Sequence, residues 1–321
     1  MRVALHSRVR RLLAAATAAA LAGCASGPSE APASATVDSP VARWRVIQGG
    51  FLGAPVPLVG GPLRPGTGAF VRLVFPSAVA VRENELLIVD SGAGRVYRCD
   101  VALNMLTPIA GAPATPQTRV ALGPDLSAYV LDAPARRVLR FARDGRLIQT
   151  FRSDAAAADP VDFALAASGA SILVIDRTLA QVAVFGAAGG GVIALRAKRD
   201  DGAPVGGASA IAVGRDDMYL LDVAAGVVHR VGSDGAIRAS FGRSLLAAPS
   251  ALAVDRFERV YVAEPATGAI RVFAGGVVEL ELSASALGIQ RIGGIAVEGD
   301  QLAISDSAMG QVILFRLRAP R

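Results

Sequence analysis

Two cysteines, two histidines, one tryptophan and four tyrosines in 321 residues leave little material for several kinds of chemistry. Cys24 and Cys99 cannot build a disulfide framework, so stability has to come from a buried core. One histidine lies in the N-terminal leader, and the other, His229, has no nearby Cys or His and reads as strand filler. Zinc sites therefore have no support, and the same shortage argues against a Ser-His-Asp arrangement. Aromatic residues make up 5% of the chain, and Trp44 with a few tyrosines is thin provision for an aromatic-lined sugar groove. No uninterrupted apolar run reaches the roughly 18 residues of a membrane span; "FLGAPVPLVGGPL" comes nearest, broken by Pro55, Pro57 and Pro62. The net charge of +6 owes much to Arg2, Arg8, Arg10 and Arg11, leaving 29 basic against 27 acidic groups elsewhere. Such a balance gives little steering toward a polyanion, so nucleic acid is not expected as a partner. The "GTGAF" of residues 66–70 lacks the further glycine and the strand-turn-helix setting of a nucleotide loop.

What is present begins with an address. Residues 1–23 run from a basic start through an apolar segment, Leu12 to Ala22, too short to span a bilayer and ordered like a signal peptide. Leu21, Ala22, Gly23 and Cys24 resemble the lipobox of bacterial lipoproteins. That resemblance implies cleavage before Cys24 and acylation of its sulfur and amino group, with several acyl chains making a stable anchor. Ala25 follows, with no aspartate of the inner-membrane retention type, so the family rule implies the outer membrane, facing the periplasm. Residues 24–42 then form a lipidated tether, rich in small polar residues and proline, that can extend about 60 Å.

The rest of the chain repeats. Asp90, Asp132, Asp176, Asp222, Glu264 and Asp306 stand 42, 44, 46, 42 and 42 residues apart, the period of a four-stranded propeller blade. Six residues after each comes Val96, Val138, Val182, Val228, Ile270 or Val312, and nine after each comes Cys99, Phe141, Phe185, Val231, Phe273 or Phe315. Each acid closes an apolar strand such as "ELLIVD" or "SILVID", and strands apolar on both faces fit sheets covered on both sides. Inner strands are legible in "SAVAV" (77–81), "SAIAV" (209–213), "SALAV" (250–254) and "GGIAV" (293–297). Asp144-Gly145, Asp234-Gly235 and Gly275-Gly276 mark hairpins whose two turn residues are both expected at positive φ. Cys99 takes a position usually held by Phe and reads as a buried hydrophobe.

The recurrence also assigns the acids. A carboxylate needed for catalysis occurs once or twice, whereas one that accepts backbone amides to fix a turn occurs at every turn, so all six are read as structural. Gly94, Gly226, Gly268 and Gly310, four positions later, suit the backbone such a turn requires. The combination, with "DSGAGRV" (90–96) and "DSAMGQV" (306–312) nearest the pattern, resembles the NHL repeat and implies an all-β, six-bladed β-propeller over residues 43–318. The chain ends too soon after Asp306 for a fourth strand in the last blade, and "ARWRVIQGG" (42–50) is expected to complete it, with "VPLVG" (56–60) as runner-up.

These observations lead to the expectation of a non-catalytic, lipid-anchored scaffold that offers its loops to an envelope protein or glycan, with no cofactor. The basic stretch Arg136, Arg137, Arg140, Arg143, Arg146 reads as a solvated blade edge, or as a contact for an anionic envelope partner. The alternative is a metal-dependent hydrolase or lactonase whose channel mouth gathers Asp, Glu or Asn oxygens; asparagine is limited to Asn84 and Asn104.

Overall fold

The computed structural model describes residues 41–53, 68–152, 159–189, 192–198, 202 and 204–318. Cys24, the tether up to residue 40 and the 56–60 segment lie outside these. Six sheets follow one another, five antiparallel with four strands and one of six strands that includes a parallel pairing, and form the blades of a β-propeller, numbered 1 to 6 by their turn acids Asp90, Asp132, Asp176, Asp222, Glu264 and Asp306. Each inner strand pairs with the strand that ends in a turn acid. Among the described residues no helix is long and apolar enough to cross a membrane.

Blade packing explains the six-and-nine spacing. Buried residues fall into six clusters, each drawn from two successive blades. Val138 joins the cluster shared with blade 3, while Phe141 joins the one shared with blade 1. Positions three apart on a strand face opposite sides of the sheet, so each repeat sends one side chain to each neighbour. Cys99 is fully buried in the cluster between blades 6 and 1, and burial pushes its thiol up to about 12, so it behaves as packing.

The inner strands show a second periodicity. The residue paired with the one just before each turn acid is Ala78, Arg119, Asp162, Ala210, Ala251 or Gly294. Two positions further stand Ala80, Ala121, Ala164, Ala212, Ala253 and Ala296, an unbroken ring of alanines. Between them lie the larger Val79, Val120, Phe163, Ile211, Leu252 and Ile295. Small side chains face the following blade and large ones the preceding blade, which lets six strands taper toward an axis without clash. A Cβ added at Gly294 would come within 3.2 Å of the Ala78 Cα, showing how closely blades 6 and 1 approach.

Closure uses one stretch of chain twice. The strand Val41–Ile47 pairs antiparallel with Gln311–Leu317 and completes blade 6. It begins at Val41, so the last residues assigned to the tether belong to the sheet. The segment expected as a single strand divides at Gln48, because Gly49–Leu52 leaves blade 6 and runs parallel to Met105–Pro108 at the rim of blade 1. Phe70–Arg72 then adds outside it. Gly49 permits the crossing, since a Cβ there would fall 2.1 Å from the Val71 carbonyl oxygen.

The hairpins differ from expectation in one respect. Gly275 and Gly276 both have positive φ, 57° and 87°, as a two-residue turn of the primed type requires. In the other two only Gly145 and Gly235 do. The Gly145 amide donates to the Ala142 carbonyl, and the Gly235 amide to that of Gly232. These are turns closed by a glycine bulge, in which the aspartate keeps an ordinary backbone and caps the amide two residues on.

The position four after each acid is left-handed in all six blades: Gly94, Arg136, Ala180, Gly226, Gly268 and Gly310. A methyl group added at Gly94 would meet open space, whereas a Cβ at Gly310 would sit 2.5 Å from the Leu73 carbonyl oxygen. Gly94→Ala should therefore cost about 1 kcal/mol from backbone strain alone. Gly310→Ala should cost clearly more, and Ala180→Gly should be neutral or slightly stabilising. Urea midpoints of the three variants test this ordering, and equal losses for the two alanine variants would contradict it.

Candidate functional site

The turn acids act through backbone amides. Asp90 accepts from the amides of Val74 and Phe75 at 2.8 and 2.9 Å and from that of Ala93 at 3.1 Å. Asp306 accepts from Gln290 and Arg291 at 2.9 and 3.1 Å, and from Ala308 and Met309 at 3.2 Å. Asp176 does the same with Asp159 and Leu179, and Glu264, one methylene longer, with Ala247 and Ala248. Asp132 receives Ala135 and the Arg137 Nε, and Asp222 receives Ala225. In blades 1, 3, 5 and 6 the carboxylate thus ties the turn to the segment that enters the inner strand. Residues there are held at one mouth of the axial channel.

The channel encloses about 510 Å³, within the range of small-ligand sites. Alanine, glycine and branched aliphatic residues line most of it, with Ser77, Ser250 and Ser307 toward the mouth on the turn-acid side. Two inward positions break the pattern, because blades 2 and 3 replace the small residue by Arg119 and Asp162. The Arg119 Nε lies 3.9 Å from Asp162 Oδ1, and its Nη1 donates to the carbonyls of Pro116 and Thr118 at 3.0 and 3.2 Å. Asp162 Oδ2 accepts the Ile211 amide of blade 4 at 3.0 Å. With its side chain only 13% exposed, the carboxyl is raised to about 6 by burial, against the opposing pull of Arg119 and of two backbone amides. At the far end of the channel Arg82 and Glu298 pair at 3.3 Å across the seam of blades 1 and 6.

The inner strands of blades 2 and 3 are the two that lack the "SAVAV" type of sequence, and they carry the pair. Arg119 stands 13 and Asp162 14 residues before their turn acids, against 12 in blades 1, 4 and 6, so superposing repeats on the acids hides the alignment. Reading those two strands against the other four is the signal that could have found them.

Other candidates lie elsewhere. His229 is buried on the third strand of blade 4, its Nδ1 2.8 Å from Ser240 Oγ. Trp44 lies under the Arg316 guanidinium at 4.7 Å. In the basic stretch Arg137 pairs with Asp132, Arg140 with Asp125 and Arg143 with Glu85, so these arginines serve separate local contacts. A calcium site of the lactonase type does not fit the described residues. Asp162 and Glu298 are the carboxylates lining the channel, at opposite ends and each beside an arginine, and no three potential ligands converge.

Comparison with solved structures places the fold. A catalytically inactive variant of virginiamycin B lyase from Staphylococcus aureus, solved with quinupristin, matches with a TM-score of 0.55 at 12% identity, over 75% of this chain and 80% of its own. A gluconolactonase from Xanthomonas campestris matches with a TM-score of 0.59 at 15% identity, over 76% and 86%. A protein of unknown function from Bacteroides thetaiotaomicron gives 0.56 at 14%, over 77% and 70%. No protein-family model matches the sequence, and no curated protein does. The similarity is one of fold, a six-bladed propeller whose neighbours include a lyase and a lactonase. The expectation of a non-catalytic chain is corrected by that finding: scarcity of histidine and metal ligands is no ground for setting catalysis aside on a scaffold that carries enzymes.

Asp162 gives a direct test of the site's electrostatics. Its carboxyl holds its proton more tightly in the folded chain than in the unfolded one, where about 3.9 applies. Ionisation therefore costs stability, increasingly as pH rises from about 4 to 6 and fully above 6. Asp162→Asn should be more stable than the parent by up to about 3 kcal/mol at pH 7, with the difference vanishing below pH 4. Urea unfolding across that range checks it; a parent more stable than the variant at pH 7 would show the ionised form to be the favoured one.

Proposed function

We propose that this chain is a small-molecule propeller enzyme whose site is the turn-acid mouth of the axial channel, with Asp162 as the proton-transferring group and Arg119 as its electrostatic partner. The observation that carries the reading is the break in sixfold symmetry. What the fold needs occurs in every blade, whereas this pair occurs once, on adjacent strands, facing the cavity. A carboxyl raised to about 6 is ionised at neutral pH yet basic enough to take a proton in a transition state. The Arg119 guanidinium, held by two carbonyls, is placed to offset negative charge as it develops. No metal enters this reading, since the channel's donor set does not suit one. Replacing a histidine inactivates the neighbouring lyase, but here the only histidine among the described residues lies inside a blade, which leaves proton transfer to Asp162.

The same reading places the propeller, with its NHL-type repeats, in the bacterial envelope, anchored through acylated Cys24 to the outer membrane and facing the periplasm. The support is the lipobox sequence "LAGC" and the polar tether that follows it.

Two experiments test these claims. Turnover of small lactones and of quinupristin, compounds suggested by the neighbours' names, should fall by at least about 100-fold in Asp162→Asn, while ligand-induced thermal shifts persist. Undiminished turnover in that variant would remove Asp162 from the chemistry. Cys24→Ser should move the protein from the membrane fraction to the soluble periplasm and abolish labelling by a palmitate analogue; retention in membranes would defeat the anchor.

A further inference from the structure

We infer that the channel mouth selects anionic ligands, with Arg291 as the receptor for the negative group; this rests on the channel reading above. Arg291 stands at the start of blade 6, where its amide is held by Asp306 and its carbonyl accepts the Ser307 amide at 2.9 Å. Its side chain is fixed twice more, by a 3.0 Å hydrogen bond from Nε to Ser307 Oγ and by stacking of the guanidinium on Phe75 at 4.9 Å. Phe75 is itself held by Asp90. Two turn acids thus position a planar cation against an aromatic ring at the opening of the cavity.

The charges around the channel do not cancel at this end. Arg82 and Glu298 neutralise each other at the far end, and Arg119 faces Asp162. Among the described residues no carboxylate pairs with Arg291, leaving its terminal nitrogens to water or ligand. Asp159, at the matching place in blade 3, lies 4.0 Å from Arg177 and does not line the cavity. A guanidinium already immobilised loses little entropy on binding and presents paired donors suited to a carboxylate, sulfonate or phosphate oxygen. Beyond it the alanine ring offers an apolar wall. The ligand class is an organic anion with a compact apolar body, its charge at Arg291 and its body in the channel.

Two dyes of nearly the same shape separate charge from shape: anilinonaphthalene sulfonate and its uncharged parent, phenylnaphthylamine. Fluorescence titration of the full chain carrying Cys24→Ser, which dispenses with detergent, should show the sulfonate binding about tenfold more tightly. Arg291→Gln should erase that preference by weakening the sulfonate while leaving the neutral dye unchanged. No preference in the parent, or a preference that survives Arg291→Gln, overturns the inference. Ala296→Phe, which fills the channel, separates the two levels. Loss of both dyes in that variant, with no effect of Arg291→Gln, would leave the channel standing and the anion selectivity refuted. Dyes that bind Ala296→Phe as they bind the parent would refute the channel site itself. If that variant does not fold, the Arg291→Gln comparison of the two dyes still decides the inference.

Discussion

A sheet that is apolar on both faces cannot end a stack. Every blade here buries side chains against the blade before it and the blade after it, as the six shared clusters record. An open row would expose two such faces, each of several large hydrophobes at roughly 1.5–3 kcal/mol per side chain. Closing the ring removes both. Residues 41–52 do this by completing blade 6 and continuing into the rim of blade 1, so that a single run of backbone hydrogen bonds spans the seam. The axial channel is the geometric residue of that closure, and its alanine ring is what the taper requires.

Quasi-symmetry then separates the two kinds of residue. The turn acids, the left-handed position after them and the alternation of small and large side chains recur because every blade meets the same packing problem. Arg119 and Asp162 answer no problem that Ala78, Ala210, Ala251 and Gly294 have not answered more simply at the matching places. Burying a carboxyl costs more than burying a methyl group unless the carboxyl is well paired. Burial raises its proton affinity, and Arg119, only loosely paired at 3.9 Å, does not offset that.

How far the sequence disclosed this depends on which interactions set each feature. The period, the six-and-nine positions and the acids were legible because they arise within one repeat, where spacing along the chain is spacing in the sheet. The closing strand was legible from the missing fourth strand, but its division at Gln48 was not, since the change of blade is imposed by Gly49 approaching Val71 from another part of the chain. The glycine-bulge hairpins escaped because Asp-Gly suits either turn, and here the aspartate keeps an ordinary backbone while only the glycine is left-handed. Arg119 and Asp162 escaped for a related reason: the extra residues before the acids of blades 2 and 3 move the pair out of alignment, and only strand pairing restores it.

The turn acids and the channel are linked more closely than a division into scaffold and site suggests. Asp90 and Asp306 hold the amides of Phe75 and Arg291, and those two side chains stack at the mouth. The hydrogen bonds that terminate a strand therefore also fix where a cation stands relative to the cavity. Blades 1, 3, 5 and 6 use the same tie, so the mouth is a ring of positions whose backbone is set by the repeat and whose side chains are free to differ. New specificity can arise there by exchanging one residue before an inner strand, without disturbing the packing between blades. One architecture can carry unrelated chemistries, and in this chain such an exchange would leave the structural carboxylates in place.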